Sequence, residues 1–264
     1  MHNMRSVKYI ASFISLLFIV SSCSEVKRDT DKNENNKITE VIVNKSELET
    51  ESTDPVEKNT DTLHIKKKVY YLNEISKKDF AKIPTTMGLK TSSALKNVSF
   101  HDSSSISFSF ANGSDTIFTN SYEEGWGNYA VYEVKKNYSD INYWLVYVGL
   151  YEGDAMFLLN KQTGKVQWVY SEPIFSPNKK YFMTYSADLE AGYNSNGIQL
   201  FKIEGANIVE LWTKDLDAWE PAEIKWQNDS IIAIKQTYLD WDNPNDLYID
   251  KYKTMKVINM HNTQ

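Results

Sequence analysis

The sequence predicts an all-β protein of antiparallel strands with one short helix near the start of its folded part. Three short runs are rich in aromatic and β-branched residues and alternate in polarity: 106–110, 129–134 and 143–148. Runs of this kind, bounded by Gly, Asn, Asp and Ser, are typical of strands. Segments with a turn motif between two apolar runs add predicted β-hairpins.

Three hairpins are predicted to recur along the second half of the chain, over residues 155–168, 198–212 and 247–258. Gln162-Thr163-Gly164 supplies the turn of the first hairpin, and Glu204-Gly205-Ala206-Asn207 that of the second. The hairpins recur roughly every 45 residues, which falls in the range of propeller blades. The pattern therefore predicts a repeated antiparallel meander.

A single helix is predicted from Ser76 to Ile83. Ser76 is a suitable N-cap, and Asp79 follows it by three residues, as in a capping box. Pro84 predicts where the helix ends.

One segment of the repeat resembles a known class of β-propeller. Phe175-Ser176-Pro177-Asn178-Lys179-Lys180-Tyr181 resembles the strand-turn-strand motif of WD40 and TolB-type propellers, and Ile198–Phe201 is similar to the strand that follows it. The resemblance implies an incomplete propeller of two to four blades, since a closed one needs at least four. A β-sandwich is the alternative, because alternation and turns fit both architectures. Residues 143–197 also resemble uncharacterised bacterial envelope proteins, which implies no function.

Residues 1–22 have the pattern of an export signal. Arg5 and Lys8 precede an apolar run over residues 9–20, and small residues follow it. The run is shorter than the roughly 20 apolar residues that span a bilayer.

Val20-Ser21-Ser22-Cys23 resembles the lipobox of bacterial lipoproteins. The resemblance implies lipidation of Cys23, the only cysteine of the chain, and a cell-envelope protein held to a membrane by its lipid. Ser24 resembles the pattern of outer-membrane lipoproteins, and the leaflet stays open.

The chain is predicted to continue as a disordered tether over residues 23–68 and a β-rich domain over residues 69–264. Residues 24–68 contain no aromatic residue and no glycine and mix charges of both signs, so they cannot bury enough apolar surface to fold. The formal net charge of −6 argues against nucleic acid as a partner.

Common catalytic motifs are missing from the sequence, including the P-loop and the His-Glu-x-x-His and Gly-x-Ser-x-Gly patterns. The only histidines of the predicted domain are His101 and His261. A polar loop at the start of a strand explains His101-Asp102 better than a catalytic triad does. The sequence therefore predicts no catalytic residue.

Polar loops that carry aromatic residues are the candidate ligand-binding segments. Loops often carry function, although most of them are only connections. Exposed aromatic side chains and carboxylates would suit a glycan or protein ligand, or a hydrolase with two carboxylates about 5–10 Å apart. The candidates are Glu123, Glu124, Trp126, Asp188, Glu190, Tyr193 and Trp241.

A cluster of oxygen ligands at 240–246 is a candidate calcium site. Asp240, Asp242 and Asp246 lie at alternating or nearby positions, as calcium loops require. The pattern lacks the glycine and the glutamate of an EF-hand, so an Asx-rich turn is the alternative interpretation. No other cofactor is predicted.

Aromatic residues divide into predicted core and predicted surface. Trp168, Phe175, Trp212 and Trp226 occupy matching places in the repeat and are predicted to pack neighbouring sheets together. Trp126 and Trp241 lie among Gly, Glu, Asp and Asn and are predicted to be exposed. Together these patterns predict a membrane-anchored, non-enzymatic binding or scaffold domain for an envelope protein or a glycan. A carbohydrate-active hydrolase is the alternative.

Overall fold

Seventeen β-strands and one short α-helix occupy the residues described by the computed structural model, which are 61–85, 88–125, 127–243 and 245–258. The helix is α1 (Lys77–Lys82). The strands are β1 (Asp61–Ile65), β2 (Lys68–Glu74), β3 (Val98–His101), β4 (Ser105–Ser109), β5 (Asp115–Thr119), β6 (Ser121–Tyr122), β7 (Tyr129–Tyr138), β8 (Tyr143–Leu150), β9 (Gly153–Asn160), β10 (Val166–Val169), β11 (Ile174–Phe175), β12 (Tyr181–Ser186), β13 (Gly197–Glu204), β14 (Asn207–Asp215), β15 (Glu220–Trp226), β16 (Ile231–Leu239) and β17 (Tyr248–Lys256). The predicted signal peptide and Cys23 lie outside the described residues.

The strands form four antiparallel sheets, numbered here I to IV. Sheet I has the order β3-β4-β5, sheet II β10-β9-β8-β7-β6, sheet III β11-β12-β13-β14, and sheet IV β1-β2-β17-β16-β15. Strands that are consecutive in the chain pair throughout sheets I to III, and in sheet IV the one other pairing joins β2 to β17. The prediction of an all-β, antiparallel meander with one short helix is therefore confirmed.

Sheet II is covered on both faces, which explains its almost uninterrupted apolar strands. Along β8, Trp144 and Val146 belong to the core shared with sheet I, whereas Tyr143 and Leu145 belong to the core shared with sheet III. Successive side chains of a strand point to opposite faces, so a strand that is buried on both faces is apolar at nearly every position.

Sheet III is likewise packed on two sides. In β12, Phe182 faces the core shared with sheet II, and Met183 faces the core shared with sheet IV. Phe182 stacks on Phe201 of β13 with ring centroids 4.7 Å apart. The packing order of the sheets is therefore I, II, III, IV, with an apolar core between each neighbouring pair.

Helix α1 covers the outer face of sheet IV. The Asp79 backbone N–H donates to the Ser76 hydroxyl at 3.0 Å, as the capping pattern predicts. Phe80 is the buried residue of the helix, and its ring packs on Tyr252 of β17 with centroids 5.1 Å apart. The short helix is thus held by its cap and by one aromatic anchor.

The folded part begins earlier than the sequence analysis predicts, so the boundary at Lys68 is wrong. β1 pairs with β2 across a turn at Lys66, whose φ is 54°. Leu63 and Ile65 are buried in the core between sheets III and IV. Polar and apolar residues alternate over 61–65, which indicates a strand, but the charged residues on either side made the segment resemble the disordered tether.

The predicted hairpin at 247–258 is also wrong, because this segment is the single strand β17. It pairs with β16 on one side and with β2 on the other. Residues 251–254 contain neither glycine nor asparagine to form a tight turn. The hairpin is instead made by β16 and β17, whose connection is the Asp-rich segment 240–247.

Three of the four predicted core aromatics are buried, and one is not. Phe175, Trp212 and Trp226 lie in the cores on either side of sheet III. The prediction for Trp168 is wrong, because 56% of its surface is exposed. Trp168 lies on β10, the edge strand of sheet II, where one side of the ring packs on Phe157 and no further strand covers the other.

Candidate functional site

Four of the connections between strands lie together at one end of the sheets. In sheet II, Leu150 at the end of β8 pairs with Ala130 at the start of β7 and with Gly153 at the start of β9, which brings the connections at these positions together. We call this the loop end. It comprises residues 123–128 (except 126), 151–152, 187–196 and 240–247 (except 244).

Four tight turns lie together at the opposite end, which we call the turn end. They hold one another by short polar contacts. Asn160 donates to the Ala206 carbonyl at 3.1 Å, and the Asn178 backbone N–H donates to Asp229 at 2.7 Å. The turn end comprises residues 161–165, 176–180, 204–207 and 227–230.

Loop 187–196 is organised by Asp188. Its carboxylate accepts the backbone N–H groups of Gly192, at 3.1 Å, and of Asn194. Glu190 accepts the Tyr248 hydroxyl at 2.6 Å, which ties the loop to the start of β17. Asp188 and Glu190, both predicted as binding residues, therefore make contacts that shape the loop. Tyr193 of the same loop is exposed.

The same loop is fastened to sheet II. The Asp154 backbone N–H donates to Asn194 Oδ1 at 3.0 Å. A side chain added at Gly153 would meet Asn194 Oδ1 at 2.7 Å, so the φ of 131° and the lack of a Cβ there allow the loop to approach β9. Loop 187–196 thus bridges sheets II, III and IV.

The Asp-rich connection 240–247 carries the most exposed tryptophan described, Trp241, with 68% of its surface accessible, as predicted. Asp240 caps the turn by accepting the Asp242 backbone N–H at 3.3 Å. Among the described residues, no three Asp, Glu, His or Cys side chains converge as metal ligands, so Asp240, Asp242 and Asp246 are not brought together. The calcium site stays a prediction of the sequence.

Glu123 and Glu124 lie exposed in the connection between β6 and β7. Trp126 lies outside the described residues. Asp188 and Glu190 are engaged by residues of their own loop and of β17, and these contacts do not involve Glu123 or Glu124. The carboxylates predicted for a hydrolase are therefore distributed over two loops, and those of Asp188 and Glu190 are engaged in hydrogen bonds.

A cleft of about 200 Å³ opens between sheets II and III at the loop end. Its lining residues bring hydroxyl, amide and carboxylate groups, together with the apolar side chain of Val169. The lining residues are Asp154, Ala155, Trp168, Val169, Tyr170, Ser186, Asn194, Ser195 and Gln199. None of these is a lysine or an arginine. The cleft is smaller than the roughly 300–1,000 Å³ of most ligand pockets, so it suits one ring-sized unit.

Buried polar groups of sheet III form the floor of this cleft. Thr184 donates to Gln199 Oε1 at 2.8 Å, and the Tyr170 backbone N–H donates to the same oxygen at 2.8 Å. Thr184 and Gln199 are both buried, so this network fixes the inner wall. The Gln199 oxygen is fully used by these donors.

Two tyrosine hydroxyls lie beside the cleft. The Tyr170 hydroxyl donates to Asp215 at 2.7 Å. Burial and, as the second cause, the Asp215 carboxylate raise the pKa of Tyr170 well above its usual range. Burial and the nearby charge of Asp154 also raise the pKa of Tyr147. Both hydroxyls are therefore neutral donors at physiological pH.

The cleft was not predicted from the sequence, although one candidate loop, 187–196, contributes to its lining. The residues of the cleft come from β9, β10, β12, β13 and loop 187–196, and only the packing of sheet II on sheet III brings them together. One signal was readable, since Gln199 interrupts the apolar run Ile198–Phe201 with a polar group that must find partners once buried.

A second hollow, of about 350 Å³, lies between residues 91–95 and β7. Its cationic groups are Lys135 and Lys136, which are paired with Glu133 and Glu172, respectively. Because the charges of both lysines are matched, this hollow is a weaker candidate for an anionic ligand.

Comparison with known proteins finds no matching protein family, no matching curated protein and no matching solved structure. Within the described residues, no helix is long and apolar enough to cross a membrane. The functional argument therefore rests on the chain's own residues.

Proposed function

We propose that this chain is a lipid-anchored protein of the bacterial cell envelope whose β-rich domain binds a protein or glycan partner at the loop end, without catalysis. The lipobox-like Val20-Ser21-Ser22-Cys23 supports the anchor, and Ser24 supports placement in the outer membrane. Lipid on the cysteine would hold the domain at a membrane surface.

The observation that carries the proposal is that exposed aromatic side chains and a cleft lie at the same end of the sheets. Tyr151, Tyr193 and Trp241 are all exposed there, and Trp168 borders the cleft. Large aromatic residues are the usual anchors of binding surfaces, because they combine apolar area with polar edges.

The hydrolase alternative uses the loop carboxylates. Retaining and inverting glycosidases need two carboxyl groups about 5–10 Å apart around the scissile bond. Asp188 and Glu190 instead accept hydrogen bonds that hold loop 187–196 in place. A binding function requires no rearrangement of that loop.

Site-specific photo-crosslinking in native membranes tests the proposal. A benzophenone amino acid is placed at Tyr193 in the loop end or, as a matched control, at Lys165 in the turn end; both positions are exposed. We expect discrete crosslinked adducts from Tyr193 and none from Lys165. Adducts from Lys165 alone, or from neither position, would contradict a partner at the loop end.

A further inference from the structure

We propose that the cleft between sheets II and III is a saccharide-binding site that takes one uncharged monosaccharide unit, such as the end of a glycan chain. This proposal rests on the proposed binding function and deepens it by naming the ligand class. It assigns the site to Asp154, Tyr170, Asn194 and Ser195, with Trp168 at the rim.

The hydrogen-bonding groups of the cleft suit a polyhydroxyl ligand. A sugar hydroxyl both donates and accepts, so its recognition needs acceptors and donors side by side. The Asp154 carboxylate supplies acceptors, while the Asn194 amide and the hydroxyls of Ser186 and Ser195 supply donors. A ligand that presents only donors, such as an ammonium ion, would leave the amide and hydroxyl donors unmatched.

The charge of the cleft favours a neutral ligand over an anionic one. Asp154 is the single formally charged residue of the lining, and it is negative. An acidic sugar would bring a second negative charge close to Asp154, with no lysine or arginine in the lining to offset it.

The shape of the cleft favours a single ring. The sheets form two walls, and the buried network of Thr184 and Gln199 closes the floor. The apolar side chain of Val169, which faces sheet III, provides surface for the C–H face of a sugar ring. An extended peptide would need a longer groove than this cleft offers.

The site is preorganised, since its flexible member is tied down. Loop 187–196 carries Asn194 and Ser195, and it is held to β9 by the Asp154 backbone and to β17 through Glu190. A ligand therefore binds without ordering this loop, which reduces the entropic cost of binding.

The test uses the purified full-length protein in micelles of a detergent that carries no sugar. Binding of methyl β-glucoside, methyl β-galactoside and methyl β-N-acetylglucosaminide is titrated by saturation-transfer NMR, with methyl β-glucuronide as the anionic counterpart and N-acetylglycinamide as a peptide fragment. We expect at least one neutral glycoside to bind, and the glucuronide and the peptide fragment to bind more weakly.

Two variants locate the binding. Asp154→Asn keeps the shape of the side chain and removes its charge, and Ser195→Ala removes a hydroxyl of the lining. Each is expected to weaken glycoside binding by about fivefold or more, which corresponds to about 1 kcal/mol. Asp115→Asn, the same change at an exposed carboxylate outside the cleft lining, is the matched control and should change affinity by less than about twofold.

Three outcomes would overturn the inference. One is that none of the glycosides binds, and another is that the peptide fragment binds in their place. The third is glycoside binding that Asp154→Asn and Ser195→Ala leave unchanged, or that Asp115→Asn weakens as much as they do, which would place the site outside the cleft. Each outcome leaves the proposed function standing if Tyr193 still crosslinks a partner.

Discussion

The contrast between Trp226 and Trp168 gives a quantitative test of how the sheets pack. Trp226 is 1% exposed between sheets III and IV, and its indole N–H donates to the Ile174 carbonyl at 2.8 Å. Trp226→Ala removes this packing, at a cost of about 3–5 kcal/mol. It also leaves a carbonyl without its partner, which adds about 1 kcal/mol or more.

Trp168→Ala should be far milder. The ring is more than half exposed, and its main apolar contact is the edge-on pair with Phe157 at 5.2 Å. Such a pair contributes about 0.5–1.5 kcal/mol. The two variants are therefore expected to differ by at least about 2 kcal/mol in the free energy of unfolding, a large share of the about 5–15 kcal/mol of a typical domain.

Urea unfolding of the wild type and both variants measures the difference. The midpoint should fall strongly for Trp226→Ala and little for Trp168→Ala, with similar denaturant slopes. Equal losses in the two variants would refute the position of β10 as an open edge. A near-neutral Trp226→Ala would refute the core between sheets III and IV.

Three further predictions concern the anchor, the tyrosines and a buried lysine. Cys23→Ser should abolish incorporation of radiolabelled palmitate, and persistent label would contradict the lipobox interpretation. Burial and, to a smaller extent, the charge of Glu172 raise the pKa of Tyr138 above the value near 10 of the unfolded chain, so its contribution to the free energy of unfolding is complete below pH 10 and falls above it, by up to about 1.4 kcal/mol per pH unit. Tyr138→Phe should therefore reduce the loss of stability with rising alkaline pH, and an unchanged pH dependence would exclude this residue as its cause. The Lys253 ammonium is buried between Asp61, at 2.8 Å, and Glu74, at 3.1 Å. Lys253→Met leaves two carboxylates without a partner, but water can solvate them, so the free energy of unfolding should change by about 1 kcal/mol or less. The double variant Asp61→Asn with Glu74→Gln leaves a buried ammonium without a counter-charge and should lower the free energy of unfolding by about 3 kcal/mol. Chemical denaturation that ranks the two in the opposite order would contradict this account.

Local patterns were enough to predict several elements of the fold. The alternation in Tyr143–Val148 and the cap at Ser76 are properties of a few adjacent residues, and both elements formed as predicted. The hairpin turns at Gly164 and Gly205 are likewise local, with φ values of 72° and 62°. Where the physics lies within one element, the sequence was sufficient.

Errors arose where the outcome depends on neighbours distant in the chain. Trp168 has the composition of a core residue, but its exposure follows from the edge position of β10. β1 folds only because β2 and β17 supply a sheet for it to join. The cleft needs sheet II to pack on sheet III, and no pattern within one segment encodes that packing.

Chemical-shift mapping on the isotope-labelled protein tests the central claim most directly, which is that the cleft at the loop end is where this domain binds. The neutral methyl glycosides are titrated while the backbone amide signals are followed. We predict saturable shifts at Asp154, Asn194 and Ser195, with Gln162 and Lys165 of the turn end unchanged. Shifts centred on the turn end, or no saturable shift at the cleft, would contradict the account.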